Sequence, residues 1–183
     1  GGLHSRTCGG MSAPWMGAVG RLRLSPDQRA LLQHPAGWIA CGFGSGLSPV
    51  APGTAGSLTA LLPWLALREL PLAYHVLALL VAFALGVWVC HWAVNALRIE
   101  DPASVVWDEF VGQWIALAPL LWLPRGWMWI IAGFILFRIF DICKPWPVSW
   151  ADRQIAGGLG VMLADVIAGI YAAIVLALLL RFA

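Results

Sequence analysis

Long apolar runs alternate with short polar punctuation along this chain, and the run lengths predict its elements. Leu70 to Leu97 holds no Lys, Arg, Asp or Glu. A helix needs about 20 apolar residues to cross the hydrocarbon core, so a spanning helix is predicted over Leu72 to Ala96. A second apolar run predicts another from Gly160 to Leu180. Two shorter runs between them, Phe110 to Leu123 and Trp127 to Phe140, are separated by a Pro-Arg-Gly turn at 124 to 126 and read as a helical hairpin. Near the start, SPDQRALLQ (25 to 33) offers a Ser cap, Pro at the first helical position and Asp in the first turn, which predicts a short helix lying at the membrane surface. Ser57 is predicted to cap a helix from Leu58 to about Leu70, which at about 1.5 Å per residue spans only partly.

Composition agrees with these runs. Of 183 residues 61% are hydrophobic and 11% charged, against roughly 25% charged in a soluble domain, and the mean hydropathy is +0.81. The expected fold is therefore all-α: a polytopic integral membrane helical domain with a Gly-rich loop and an interfacial N-terminal helix. Residues 42–183 form the membrane-embedded domain and 11–41 the N-terminal segment. Residues 1–10 have no periodicity and read as a remnant ahead of Met11, outside the fold. A net charge of +2 gives no footprint for nucleic acid. Cys8, Cys41, Cys90 and Cys143 have no CxxC spacing, so neither a disulfide framework nor a zinc site is indicated.

Charge matters by location. With a cytoplasmic N-terminus, seven basic residues (Arg21, Arg23, Arg29, Arg98, Arg138, Lys144, Arg153) fall on the cytoplasmic side and three (Arg68, Arg125, Arg181) opposite, as the positive-inside rule favours. Every acid except Glu69 then shares the cytoplasmic face, which requires the two short segments to cross.

Four stretches on that face carry candidate chemistry. GFGSGLSPVAPGTAGS, 42 to 57, has five Gly, two Pro and four Ser or Thr. Its backbone N–H groups and hydroxyls can approach a phosphate without intervening side chains, beside a helix N-terminus. A plain connecting loop would use the same residues. In RIEDPASVVWDEFVGQW, Asp108 and Glu109 begin an apolar segment where acids also stabilise a helix N-terminus, but with Asp101 upstream they form a set suited to a divalent cation. FRIFDICKPWPVSWADRQ supplies Arg138, Asp141, Lys144, Asp152 and Arg153. Asp141 and Lys144 could form an ordinary ion pair at helical spacing, or divide the labour, acid on metal and base on phosphate. Asp165 falls about one turn inside the last helix, where an ionisable group is costly and therefore a functional candidate.

Carboxylates, cations and a Gly/Ser-rich cradle on one side are the inventory of metal-assisted phosphoryl chemistry, and hard oxygen ligands point to Mg²⁺. Other nucleophiles lack support: no Cys has Arg at the sixth following position, and DxDxT and paired-histidine phosphatase motifs are absent. His91 near the end of the long helix reads as a packed interfacial histidine. A small ion- or proton-coupled transporter would also place acids at helix ends, yet none sits at the midplane of the long helix. A purely structural subunit leaves Asp165 and the hydroxyl-rich loop unexplained.

From Gly42 to Ala168, GFGSGLSPVAPGTAGS, VVWDEFVG, FRIFDICKPWP and GGLGVMLADVIAG occur in an order that resembles bacterial phosphatidylglycerophosphatase A. The resemblance implies Mg²⁺-dependent hydrolysis of the membrane phospholipid phosphatidylglycerophosphate to phosphatidylglycerol and phosphate at the cytoplasmic face of the inner membrane. It also implies that Asp108, Glu109 and Asp141 contribute to the site. On this reading Asp108, Glu109, Asp141 and Asp165 are the catalytic and metal-binding acids, with Asp101 a further metal ligand. Lys144, Arg138, Ser45, Thr54, Ser57, Gly44, Gly46, Gly53 and Gly56 bind the substrate phosphate. One position departs: the family carries an Asp pair where this chain has Ala164 before Asp165, and impaired hydrolysis is the expectation.

Overall fold

The computed structural model describes residues 24–99, 102–123 and 126–182. It is helical throughout, with no strand among those residues. The expectations for residues 1–10, and the bases Arg21, Arg23 and Arg125 used for orientation, lie outside the described residues, as does Asp101.

The chain runs α1 (Pro26–Leu32), α2 (Pro35–Ala40), a 3-10 segment (Gly42–Leu47), α3 (Pro52–Leu67), α4 (Leu72–Leu97), α5 (Trp107–Ala116), a second 3-10 segment (Ala118–Leu121), α6 (Trp127–Cys143), α7 (Val148–Gln154) and α8 (Gly158–Phe182). α1 starts as its sequence predicts. The Ser25 hydroxyl accepts from the Gln28 N–H while the Gln28 side chain accepts from the Ser25 N–H, a reciprocal cap behind Pro26. α4 and α8 are long and apolar enough to cross a membrane by length and composition. α5 is not, since its ten residues reach only about 15 Å.

Three local expectations are corrected. The helix expected from Leu58 begins six residues earlier, at Pro52, with Ala51 left-handed at φ 47°. Proline fits this first helical position because its missing N–H would have had no intrahelical partner; Ser57 is thus buried inside α3 rather than capping it. The run from Phe110 to Leu123 breaks at Leu117 into α5 and a 3-10 segment. The Gly-rich stretch is not one cradle: Gly42–Leu47 forms a tight turn with Phe43 and Gly44 at positive φ, separate from the start of α3.

α8 is the central helix, packing against α4, α5, α6 and α7. Its buried residues include Met162, Asp165, Gly169, Ala172, Leu176 and Leu180, a spacing of three or four that marks one continuous face. Small side chains let α5 come close, since a Cβ on Gly169 would overlap the Gly112 carbonyl and one on Gly112 would stand 2.8 Å from the Asp165 carbonyl oxygen. Close backbone approach at small residues supplies the dispersion contacts on which helix association in lipid depends. Gly169→Ala is therefore expected to cost about 1–3 kcal/mol by overpacking, read as a shift in equilibrium unfolding in detergent micelles; an unchanged midpoint would mean that the helices separate freely.

α5 is fixed from three further sides. The indole N–H of Trp107 donates to the Ala82 carbonyl of α4 (2.9 Å), and that of Trp114 to the Ala60 carbonyl of α3 (2.8 Å). The Val106 N–H donates to the Ala40 carbonyl at the end of α2 (2.8 Å). These bonds set where the first turn of α5, and so Asp108 and Glu109, must stand.

Candidate active site

A cavity of about 280 Å³ opens where the starts of α3 and α5, the end of α6, α7 and the first half of α8 meet. Asp108, Glu109, Asp141, Lys144, Asp152 and Asp165 supply its charged wall. Four helices thus deliver acids from positions as far apart as 108 and 165 to one place. Asp165 is almost fully buried, lies within electrostatic reach of Asp108, Asp141 and Glu109, and is close enough to Asp141 for a side-chain hydrogen bond.

Glu109 is the most elaborately held of these groups. Its Oε2 accepts from the Ser57 hydroxyl (2.6 Å), the Ser57 N–H (3.2 Å) and Arg138 Nη1 (3.0 Å). The same Arg138 nitrogen lies 2.8 Å from Asp141 Oδ2 and donates to Ser57 Oγ at 3.2 Å. Burial pushes the Glu109 carboxyl up to about 7, against the opposing pull of Arg138 and the Ser57 hydrogen bonds. Gly53 closes the wall behind it, because a Cβ there would overlap Glu109 Oε1 and come within 3.1 Å of Arg138 Nη2. Only glycine admits this approach.

Both cations of the site are paired with acids. Lys144 does not pair with Asp141 three residues earlier. It lies just past the end of α6 in a left-handed conformation, φ 42°, and its ammonium reaches Asp152 of α7 at 2.6 Å. Arg138, expected on phosphate, bridges Glu109 and Asp141. Ser57 serves Glu109. Ser45 donates to the Gly42 carbonyl (2.9 Å) within its own turn, and Gly46 packs beneath the Ser104 carbonyl. Of the Gly-rich stretch, Pro52 and Gly53 line the cavity. Gly44, Ser45, Gly46, Thr54 and Gly56 do not, although a Cβ on Gly56 would stand 3.3 Å from Glu109 Oε2. Two residues at this site were not singled out in the sequence as partners: Ser57 for Glu109 and Asp152 for Lys144. Their partners lie 52 and 8 residues away, beyond any local pattern.

Among the described residues, no Cys or His lines this cavity. Cys41 is fully buried and its thiol is pushed up to about 11 by that burial, so it carries negligible thiolate at neutral pH. His91 packs against the turn entering α8, close to Gly157 and Gly158.

Whether a divalent cation suits these residues is decided by their donors. Among the described residues, no three His, Cys, Asp or Glu side chains stand in metal-ligating geometry. The donor chemistry nevertheless fits a hard cation. Five carboxylates face two cations in and beside the cavity, and Asp165 Oδ2 is buried without a hydrogen-bond partner. Clustered carboxylates at this density require protons or a cation.

Comparison with known proteins adds the chemistry that geometry leaves open. The profile of the family described as phosphatidylglycerophosphatase A matches residues 38–180. This chain belongs to the phosphatidylglycerophosphatase A family. It is 43% identical over 145 residues to the phosphatidylglycerophosphatase A of Escherichia coli, covering 79% of this chain and 83% of that protein. Against the Haemophilus influenzae protein of the same description it is 41% identical over 152 residues, 82% of this chain and 92% of the relative. A Bacteroides thetaiotaomicron protein described as a candidate phosphatidylinositol-3-phosphatase is 48% identical over 150 residues, 76% of this chain and 89% of the relative. No solved structure matches. The family match spans α3 to α8 and so includes every acid of the cavity wall, in a family of phosphatases.

Proposed function

We propose that this chain is a Mg²⁺-dependent lipid phosphatase that converts phosphatidylglycerophosphate to phosphatidylglycerol and inorganic phosphate. The observation that carries the reading is the convergence of Asp108, Glu109, Asp141 and Asp165 with Lys144 in one cavity, in a chain whose relatives are named for this hydrolysis. The reaction takes place at the cytoplasmic face of the bacterial inner membrane, with α4 and α8 crossing it and the shorter helices completing the bundle. Support for a lipid substrate comes from the cavity's rim. Ile142 lines it and is 68% exposed, and Trp146 beyond it is 77% exposed; an interfacial tryptophan suits the headgroup level.

The chain's residues divide the work. Lys144, at the cavity wall, binds the terminal phosphate. Arg138 and Ser57 hold Glu109 in one orientation, and a carboxyl raised to about 7 is in the range where it exchanges a proton at neutral pH. Asp108, Asp141 and Asp165 would hold Mg²⁺, which supplies charge neutralisation and a more acidic water. Hydrolysis joins a water oxygen to phosphorus as the phosphorus–oxygen bond to the glycerol breaks; the water gives up a proton and the glycerol oxygen leaves with one. Ala164 lines the same cavity, and its methyl offers no ligand where the family resemblance places an acid, so we assign this chain a slowed reaction.

Phosphate release from phosphatidylglycerophosphate in mixed micelles, followed across a Mg²⁺ series, tests the proposal. Release should require Mg²⁺ and be faster in Ala164→Asp than in the natural chain. No release from either protein would overturn it, and solute flux into vesicles without phosphate release would favour a transporter.

A further inference from the structure

A second cavity, about 380 Å³, adjoins the first, and the two share Asp152 and Val161 as lining residues. Its character is opposite. The first is dominated by carboxylates. The second has Arg153 as its cation, Asp152 as its acid and Gln154 and Gly157 beside them, with Ile155, Ala156 and Val161 as its apolar wall, and the Asp152 charge is taken up by Lys144 at 2.6 Å. Arg153 is exposed and forms no ion pair among the described residues. Gly157, at φ 73°, turns the chain from α7 into α8 so that main chain rather than side chain lines this part of the wall. A recess with an exposed guanidinium beside an acidic cavity suits a ligand bearing two phosphates in different chemical states.

The relatives' names define what such a ligand has in common. Phosphatidylglycerophosphate carries its monoester and its internal phosphodiester on the two ends of a three-carbon glycerol. Phosphatidylinositol 3-phosphate carries them on ring carbons 1 and 3. In both lipids the monoester to be cleaved and the diester that is kept are separated by three carbons. We infer that the second cavity is a phosphodiester subsite in which Arg153 binds the internal diester of the lipid headgroup, so that the paired cavities select a monoester three carbons from a diester. This rests on the proposed phosphatase reading and adds to it a determinant of specificity. A guanidinium fork matches two phosphate oxygens, and the four acids next door would repel the diester, which fixes the direction in which the headgroup lies.

The test uses the full chain in detergent micelles with short-chain lipids, measuring equilibrium binding by calorimetry alongside KM and kcat. Arg153→Ala should weaken binding of phosphatidylglycerophosphate and phosphatidylinositol 3-phosphate about five- to tenfold and raise KM alike with little change in kcat. Phosphatidate, which has a monoester and no internal diester, and inorganic phosphate should bind Arg153→Ala as they bind the natural chain. Arg153→Lys, which keeps charge but loses the fork, should fall between. Unchanged binding of both diester lipids in Arg153→Ala would overturn the assignment, as would an equal loss for inorganic phosphate, which would make the recess a free-phosphate site. Equal affinity of the natural chain for phosphatidylinositol 4-phosphate would overturn the spacing rule. If the natural chain releases no phosphate the enzymatic reading fails, while the binding comparison still decides the subsite.

Discussion

Asp108→Asn, introduced into the Ala164→Asp protein, is expected to abolish phosphate release, with a fall in kcat of about 10²–10⁴-fold, and to leave the fold intact. Asparagine keeps the shape of the side chain and removes its charge from a cavity crowded with acids. Part of the stabilisation forgone is that of an acid in the first turn of α5, about 0.3–1 kcal/mol, and relief of repulsion from Asp165 works against the loss. Stability and activity therefore separate: the unfolding midpoint stays within a degree or two of the parent (by the usual scaling of small free-energy changes) while turnover disappears. Measured side by side on one preparation, full activity would remove Asp108 from the chemistry, and a collapsed midpoint would make it structural.

Arg138→Ala is expected to behave in the opposite way. Its guanidinium is 14% exposed and joins Glu109 and Asp141, themselves 11% and 14% exposed. Removing one member of a buried ion network strands the others, at a cost of about 3–5 kcal/mol. Equilibrium unfolding in mixed micelles should show that loss near neutral pH. Without Arg138, whose charge pulls the Glu109 carboxyl down, Glu109 binds a proton more readily than in the parent. The folded variant therefore gains more stability than the parent from added protons, and the gap between them narrows as pH falls. A loss below about 1 kcal/mol, the range of a surface pair, would mean that the network does not hold the site together.

How far these residues could be read from sequence differs from element to element. α1 was legible because Ser25, Pro26 and Gln28 encode its start locally. α4 and α8 were legible because their apolar runs are long. α2 and α7 were not anticipated: each is short and stands beside prolines that read as breakers, whereas Pro35 opens α2 at a first helical position. The start of α3 was misplaced because Ser57 looks like a cap, although its hydroxyl is committed to Glu109. Asp141 has a basic residue at three positions on either side, Arg138 and Lys144, and spacing alone does not choose between them. The end of α6 at Cys143 does, since Lys144 leaves the helical path and its side chain turns to Asp152. The acids themselves were legible as a set, because acids are scarce in so apolar a chain. The work of Arg138 and Ser57 in holding Glu109 was not, because it exists only once α3, α5 and α6 have packed.

The central claim is that these acids hold a divalent cation together. Titration of the purified chain with Mn²⁺, a paramagnetic stand-in for Mg²⁺ followed by electron paramagnetic resonance, tests it without relying on turnover. The account predicts saturable binding that Mg²⁺ competes away and that is lost in the Asp108→Asn, Asp165→Asn double variant; no saturable binding to the natural chain, or undiminished binding to a folded double variant, would contradict it.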